Sequence, residues 1–317
     1  MEKLGNCLIT SISKKVPLIK QVRKAAEKID PQILIYGGDT DPQCIGSYFV
    51  DSFWHMPELT ALEVGEIVDF CRSHNISTII PTRDGDLPFF AASRQEVAQQ
   101  GISVMVSCSE AIGICQDKLR FYSTLASQGY PVIETSEEIK TIKAASYVVK
   151  DRIGAGSRHL GLNLSAAEAL KHAQLLEMPI FQPFITGTEV SIDVYIDMQG
   201  RVKGQVARSR DRVVNGESQI TTTFQNEEIE RVCVKLAETL KLYGHVVVQL
   251  IIDDQNNFHI LECNCRFGGA STLSIAAGLD SFYWFFLESK GESLEKYPFA
   301  PVDKSIRLVR YPEDLII

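Results

Sequence analysis

Residues 5–115 alternate regularly between strand-like and helix-like segments, and this alternation constrains the fold more than any other feature. Short apolar runs, including Asn6–Ile12, Gln32–Tyr36 and Ser77–Pro81, are each followed by a helix-like stretch. Such alternation predicts a parallel sheet covered on both faces, because each helix carries the chain back to the start of the next strand. The helices predicted for the whole chain are Pro17–Ile29, Leu59–His74 with Thr60 as N-cap, Leu87–Gln100, Ser109–Cys115, Asp117–Gly129, Ser165–Leu176, Asn226–Leu242 and the stretch 270–290.

Two polar segments follow predicted strands of this sheet, at the carboxyl ends where ligands of parallel sheets bind. They are Gly37-Gly38-Asp39 and Pro81–Asp86, and neither contains the G-x-G-x-x-G pattern of dinucleotide-binding proteins. A dehydrogenase or a sugar-nucleotide enzyme is therefore disfavoured. Arg83 and Asp84 could bind the carboxylate or amine of a substrate, or they could instead cap the helix Leu87–Gln100.

The pattern changes after Gln116, and the segment 130–186 predicts a small α+β module. Its strand Ala145–Lys150 ends in a lysine and runs into the glycine-containing loop Asp151–His159. Glycines let backbone N–H groups approach an anion closely, and a serine hydroxyl adds a further donor. A phosphate site is indicated, although many hairpins contain similar loops. The residues concerned are Lys150, Arg152, Gly154, Gly156, Ser157 and Arg158.

Residues 179–212 contain an apolar run, an alternating strand and a cluster of arginines. The run Pro179–Gly187 could be a hinge whose backbone binds an adenine edge, or simply a buried strand. The strand Thr188–Asp197 places three polar side chains on one face, and the arginines could form a solvated surface. The polar residues of these segments are Glu189, Ser191, Asp193, Arg208, Arg210 and Arg212.

Two long apolar runs separated by the polar segment 254–257 predict an antiparallel hairpin in the last third of the chain. Alternate side chains of a strand share a face, so Glu262, Asn264 and Arg266 are expected in one row. A turn made of residues 254–257 would set Gln249 opposite Glu262. Carboxylate and amide oxygens suit Mg2+, and a guanidinium suits a phosphoryl group. Taken singly, Gln249 could be a core amide and Glu262 an ordinary strand residue.

Composition narrows the class of protein and its compartment. The 317 residues suggest about two domains, and the net charge of −8 argues against a general binder of nucleic acids or anionic membranes. No apolar run reaches the roughly 18 residues that span a bilayer, and no signal peptide is recognisable. The eight scattered cysteines indicate reduced thiols in a cytoplasmic protein. Cys263-x-Cys265 lacks the spacing of a structural zinc site.

In their order along the chain, these motifs resemble the ATP-grasp superfamily. The most similar branch is that of the carboxylate–amine ligases, which includes carbamoyl-phosphate synthetase large subunits and biotin carboxylase. The resemblance covers nearly the whole chain. It implies an α/β, Rossmann-like pre-ATP-grasp domain at 1–112, a lid subdomain at 113–186 and a catalytic subdomain with an antiparallel sheet at 187–317.

The resemblance also implies a role for each matching residue and a pair of cofactors, ATP and Mg2+ (or Mn2+). Arg266, Lys150 and Arg208 would be catalytic. The residues implied to bind the nucleotide and the metal are Lys118 and Lys150 for the phosphates, Gly154, Gly156 and Ser157 for the lid loop, Gln182, Phe184 and Ile185 for adenine, Glu189 for the ribose, and Gln249, Glu262 and Asn264 for the metal.

The implied reaction joins a small carboxylate to an amine (or to a thiol) through an acyl-phosphate, with release of ADP and phosphate, and a homodimer is compatible with it. A regulatory or partner protein that binds ATP without turnover is the alternative. Three positions depart from the family pattern: Asp151 and Cys265 each replace a proline, and Pro183 replaces an acid and removes a backbone donor. None of these departures removes an implied ligand.

Overall fold

The computed structural model describes residues 4–154 and 159–317. Its first sheet is five-stranded and parallel, with the order β3-β2-β1-β4-β5. Helices lie between and after these strands in the chain, which confirms the predicted α/β class. The elements are β1 Asn6–Thr10, α1 Val16–Ile29, β2 Ile35–Asp39, β3 Ser52–His55, α2 Val64–Ser73, β4 Ile76–Pro81, α3 Leu87–Ala98, β5 Ser103–Val104 and α4 Ser109–Gln116.

The sequence prediction missed β3, and the start of two other elements differs most from it. β2 begins at Ile35 rather than at Gln32, because its pairing with β1 starts there and continues through the two glycines. The prediction of Thr60 as an N-cap was wrong. The helix starts after Glu63, whose backbone N–H donates to the carboxylate of Glu66 at 2.8 Å.

The middle of the chain forms a three-stranded sheet with the order β7-β6-β8. A helix that begins at Lys118 precedes this sheet in the chain. Asp117 is its N-cap, because the Asp117 carboxylate accepts hydrogen bonds from the N–H groups of Leu119 and Arg120. The elements are α5 Lys118–Ala126, β6 Tyr147–Asp151, β7 Gly161–Leu164, α6 Ala166–Ala173 and β8 Pro179–Pro183.

The last part forms a seven-stranded sheet with the order β11-β12-β10-β9-β13-β14, and β15 pairs with β12 in an antiparallel arrangement. The sequence prediction missed β11 and β12. It also treated 270–290 as helical throughout, whereas the chain breaks at Gly278, whose φ of +105° strongly favours glycine. The elements are β9 Gly187–Ile196, β10 Val202–Ser209, β11 Arg212–Val214, β12 Glu217–Phe224, α7 Glu227–Thr239, β13 Gly244–Asp253, β14 Phe258–Asn264, α8 Ser271–Ala276, α9 Ser281–Ser289 and β15 Arg307–Val309.

A large cluster of buried apolar side chains joins the first sheet to the last. It contains Ile79 and Phe90 from the first part of the chain and Val248, Ile260 and Cys265 from the β13–β14 hairpin. The carboxyl ends of the parallel strands are thereby held against the hairpin.

Within the described ranges 4–154 and 159–317, no helix is both long and apolar enough to cross a bilayer.

Candidate functional site

A row of polar side chains crosses four neighbouring strands of the large sheet. Arg208 on β10 pairs with Ser191 on β9, and Ser191 pairs with Gln249 on β13. Gln249 in turn pairs with Glu262 on β14, so the predicted hairpin register is confirmed. Directly cross-strand neighbours share a face, so these residues of four strands face the same space.

The oxygen-bearing side chains at the hairpin end of this row lie within hydrogen-bonding distance of one another. The amide of Asn264 donates to Oε1 of Glu262 at 3.1 Å. With its amide oriented so that both neighbours are satisfied, Gln249 donates to the same oxygen at 2.6 Å and accepts from Nη1 of Arg210 at 2.5 Å. A carboxylate and two amides collected in this way form a donor set that suits a hard cation such as Mg2+ or Mn2+.

Arg210 is a site residue that the sequence analysis left in an undifferentiated charge run. Its Nε lies 3.0 Å from the carboxylate of Glu189, and its side chain is only 8% exposed. It therefore links Glu189 to Gln249. The available signal was its two-residue spacing from Arg208, which places both arginines on one face of the sheet.

Two lysines approach the row from the middle part of the chain. Lys118 donates to the backbone carbonyl of Gly154 at 2.9 Å. Burial lowers the pKa of Lys150 from 10.5 to about 8, with a further lowering from Lys118 and an opposing effect of Glu262 and Glu189. Burial also lowers the pKa of Lys118, again opposed by Glu262. Both ammonium groups thus interact electrostatically with the carboxylate on β14.

The glycine loop after β6 is described only in part, because Gly156, Ser157 and Arg158 lie outside the described residues. The sequence predicts that Arg152 adds positive charge to a phosphate site, but in the structure its guanidinium is paired with carboxylates. Its guanidinium forms two hydrogen bonds with Asp117, at 2.8 and 2.6 Å, and one with Glu137 at 3.0 Å. Arg152 therefore fastens the loop to the start of α5.

The apolar run after α6 forms the edge strand β8 and then a turn. Gln182 is buried and donates to the hydroxyl of Thr135 at 2.7 Å. Pro183 is accommodated as the last residue of β8, opposite Tyr147. The N–H of Phe184 donates to Ser146, whereas that of Ile185 has no backbone acceptor in the described part of the chain. Ile185 thus retains a free donor beside Pro183.

Arg208 is held by a buried carboxylate rather than standing free. Its Nε donates to Asp193 at 2.6 Å, and both side chains are almost fully buried. His245 and Ser274 also contact Asp193, at 2.9 and 3.0 Å, and Ser271 donates to it. Burial alone would raise the pKa of Asp193, but Arg208 and the hydrogen bonds hold it well below its usual range.

Arg266 links the large sheet to the first domain. Its Nη2 donates to the carboxylate of Asp84 at 2.5 Å, and its Nη1 to the carbonyl of Phe267 at 3.0 Å. The alternative that Arg83 and Asp84 cap α3 is wrong, because the N-cap residue is Asp86 and no side chain caps that helix. Asp84 instead reaches the same site as the hairpin residues.

These residues surround one cavity of about 850 Å3. The sequence-predicted site residues that line it come from all three parts of the chain. They are Lys118, Lys150, Gly154, Gln182, Phe184, Ile185, Glu189, Arg208, Gln249, Glu262, Asn264 and Arg266, together with Asp84 and the turn residues Gly268 and Gly269.

Three cysteines meet on the opposite face of β14. The sulfur atoms of Cys115, Cys263 and Cys265 lie within 4.8 Å of one another, and all three residues are buried. The sequence analysis did not anticipate Cys115 as the third member. The thiol–thiol hydrogen bonds act in both directions, but together with burial their net effect raises the pKa of each thiol well above its ordinary value. They therefore behave as neutral packing groups, as the composition had indicated.

Comparison with known proteins identifies two family models along the chain. Residues 176–312 match a family described as ATP-grasp in the biosynthetic pathway with Ter operon, and residues 7–105 match the PylC-like N-terminal domain. No curated protein matches the chain.

Solved structures show the same fold at low sequence identity. The biotin carboxylase domain dimer of Hydrogenobacter thermophilus 2-oxoglutarate carboxylase, in complex with MgADP, ADP and bicarbonate, has a TM-score of 0.76 and 16% identity, covering 95% of this chain and 73% of that one. Campylobacter jejuni biotin carboxylase with β,γ-ATP has a TM-score of 0.72 and 14% identity, with 91% and 72% coverage. Staphylococcus aureus N5-carboxyaminoimidazole synthetase with ADP has a TM-score of 0.72 and 17% identity, with 93% and 80% coverage.

Proposed function

Because this chain belongs to the ATP-grasp superfamily, we propose that it is an ATP-dependent ligase that joins a carboxylate to an amine through an acyl-phosphate. The observation that carries the proposal is the meeting of Lys118 and Lys150 with Glu262 and Arg266 in one cavity. We assign residues 1–112, 113–186 and 187–317 to the pre-ATP-grasp domain, the lid and the catalytic subdomain.

The donor set on the hairpin fits Mg2+ or Mn2+. Glu262, Gln249 and Asn264 already share polar atoms at hydrogen-bonding distance, so a small shift of each side chain would turn its oxygen toward one cation. A bound cation would neutralise the charge that develops on the transferred phosphoryl group. In this chain the oxygens of the three side chains would supply the ligands, and Gln249 would turn its amide oxygen from Arg210 toward the cation.

The rest of the cavity suits ATP. Lys118 and Lys150 provide positive charge for the phosphates, and the carbonyl of Gly154 holds Lys118 in place. Adenine would meet the free N–H of Ile185 and the edge of β8. Glu189 would accept a hydrogen bond from the ribose hydroxyls, since its carboxylate is 42% exposed despite the contact with Arg210.

In the proposed reaction, an oxygen of the substrate carboxylate attacks the γ-phosphorus of ATP. The bond to the β,γ-bridging oxygen breaks, giving ADP and an acyl-phosphate. Arg266 lies beside the metal-ligand set and stabilises the charge on the transferred group, and Asp84 orients its guanidinium. A neutral amine then attacks the acyl carbon, phosphate leaves, and the amine loses a proton. No protein nucleophile is required.

ADP release is the direct test. The purified chain would be mixed with MgATP, hydroxylamine as a general amine, and pools of amino acids and small carboxylic acids. We expect ADP and a hydroxamate with at least one acid. Glu262→Gln should abolish both products, whereas Glu228→Gln, an exposed glutamate on α7, should leave them unchanged. If no acid releases ADP, the chain is an ATP-binding partner protein rather than a ligase.

A further inference from the structure

A buried carboxylate links two groups that line the cavity from different elements. Oδ2 of Asp193 on β9 accepts from Nε of Arg208 at 2.6 Å, and its Oδ1 accepts from the hydroxyl of Ser271. Ser271 begins α8 and in turn accepts the N–H of Gly268 at 2.9 Å. Arg208 and the glycine turn (residues 268–270) line the cavity, and Asp193 and Ser271 are buried. One series of hydrogen bonds therefore runs from Arg208 through two buried side chains to the turn.

The glycine turn also packs directly against the guanidinium of Arg208. A methyl carbon added at Gly268 would lie 3.4 Å from Nη2 of Arg208 and 3.3 Å from Oγ of Ser271. Both contacts are tight, so the turn can approach the arginine this closely because Gly268 has no side chain. The hydrogen bond from Gly268 to Ser271 then fixes the position of the turn relative to Arg208.

Both ends of this series carry hydrogen-bond donors at the cavity. Arg208 uses its Nε for Asp193, and its two Nη groups make no hydrogen bond within the described ranges. The N–H groups of Gly269 and Ala270 likewise have no acceptor in the part of the chain that the structure describes. All three residues line the cavity. Guanidinium and backbone N–H donors that face one cavity suit an anion with several oxygens, such as a transferred phosphoryl group.

We propose that Ser271 is a positioning residue that couples the glycine turn to Arg208, so that the two hold the transferred phosphoryl group together. This inference rests on the proposed function and adds a buried residue to the site. Ser274, on the same helix, provides the contrast. Its hydroxyl also donates to Asp193, at 3.0 Å, but it makes no hydrogen bond with the turn, whose three residues are all described. Of the two serines, Ser271 is therefore the one that joins the carboxylate to the turn.

Binding of a phosphoryl mimic tests this coupling independently of turnover. Titration calorimetry would measure the binding of orthovanadate to the full chain in the presence of saturating MgADP. The unmodified protein should bind it, and Ser271→Ala should bind it about tenfold more weakly, because the turn loses the hydrogen bond that holds it. The affinity for MgADP alone should stay the same. Ser274→Ala is the matched control: it loses a comparable hydrogen bond to Asp193 and should bind orthovanadate as the unmodified protein does.

A second pair of variants decides the question if the protein does not fold without the buried Ser271 hydroxyl. Gly268→Ala places a methyl group between the turn and Arg208 and should weaken orthovanadate binding about fivefold or more. Gly65→Ala on α2 should not weaken it, because a methyl group there would meet no described atom within 4 Å outside its own helix backbone. Urea denaturation would show that each variant is folded under the conditions of the titration.

The outcomes separate the inference from the proposed function. If the unmodified chain forms ADP and hydroxamate but Ser271→Ala and Gly268→Ala bind orthovanadate as tightly as it does, the ligase function stands and the inference is overturned. Equal weakening by Ser271→Ala and Ser274→Ala, or no binding of orthovanadate by the unmodified protein, would also overturn it. If Ser271→Ala and Gly268→Ala weaken binding and their controls do not, but no acid yields ADP, the positioning role stands and the ligase function fails.

Discussion

Raising the pH from about 7 to about 9.5 should weaken the binding of MgADP, because it removes the proton from Lys150. Burial lowers the pKa of this lysine from 10.5 to about 8, and Lys118 lowers it further. Glu262 and Glu189 only partly offset the burial. In the free protein Lys150 is therefore charged at pH 7 and mostly neutral at pH 9.5, within a range that most proteins tolerate.

The size of the effect follows from the pKa. With a value of about 8, only about 3% of Lys150 is protonated at pH 9.5, so binding that requires its charge weakens about 30-fold, or about 2 kcal/mol. Loss of folding does not explain such a change. Because the unfolded lysine keeps its proton up to about pH 10.5, the titration of Lys150 stabilises the folded protein between pH 8 and 10.5.

Titration calorimetry between about pH 6.5 and 9.5 would measure the affinity for MgADP. Repeating the titration in buffers of different ionisation enthalpy would give the number of protons taken up on binding. Lys150→Arg should lose most of the pH dependence, because a guanidinium stays charged throughout the range. In Lys143→Arg, an exposed position shortly before β6, the affinity for MgADP should depend on pH as it does in the unmodified protein. Constant affinity up to pH 9.5, or an equal loss in Lys150→Arg, would refute the role of this proton.

Three further predictions concern other parts of the site. Asp193→Asn should destabilise the protein by about 3–5 kcal/mol in urea denaturation, because it leaves a buried arginine unpaired, whereas Glu228→Gln at an exposed position on α7 should leave the denaturation midpoint nearly unchanged. Arg266→Lys should lower the kcat for ADP formation about 100-fold with little change in the affinity for MgADP, which equilibrium binding would check. In the native protein a thiol reagent should react rapidly with Cys108 alone, because the other seven cysteines, all within the described ranges, are buried. In denaturant it should react with all eight. Rapid labelling of Cys265 in the native protein would contradict the burial of the three-cysteine cluster.

The hairpin shows what the sequence could predict about this site. Two apolar runs around a short polar segment determine which residues of β13 and β14 face each other, and the period of two determines which side chains share a face. Gln249 and Glu262 could therefore be paired from sequence spacing. Most of the order of helices and strands over the first domain was accessible for the same reason, because each of these elements has its own periodicity and its own flanking signals, but the short strand β3 was missed.

The contacts that complete the site depend on packing between distant elements and leave no local pattern. Asp84 and Arg266 are far apart in the chain, and they meet only because the carboxyl end of β4 is held against β14 by a shared apolar core. Cys115 joins Cys263 of β14 and Cys265 just beyond it for the same reason, since α4 packs against that strand.

Arg210 illustrates an intermediate case. Its spacing from Arg208 predicts a common face, but which carboxylate each arginine contacts depends on the register of β10 against β9. In that register Arg208 contacts the buried Asp193, and Arg210 contacts Glu189 at the cavity. The two arginines look equivalent in the sequence but have different roles. Arg208 is fixed in the core beside the site, and Arg210 forms a hydrogen bond with the amide of Gln249. A sequence pattern can therefore predict which candidate residues share a face, but the pairing of the strands determines which residue each of them contacts.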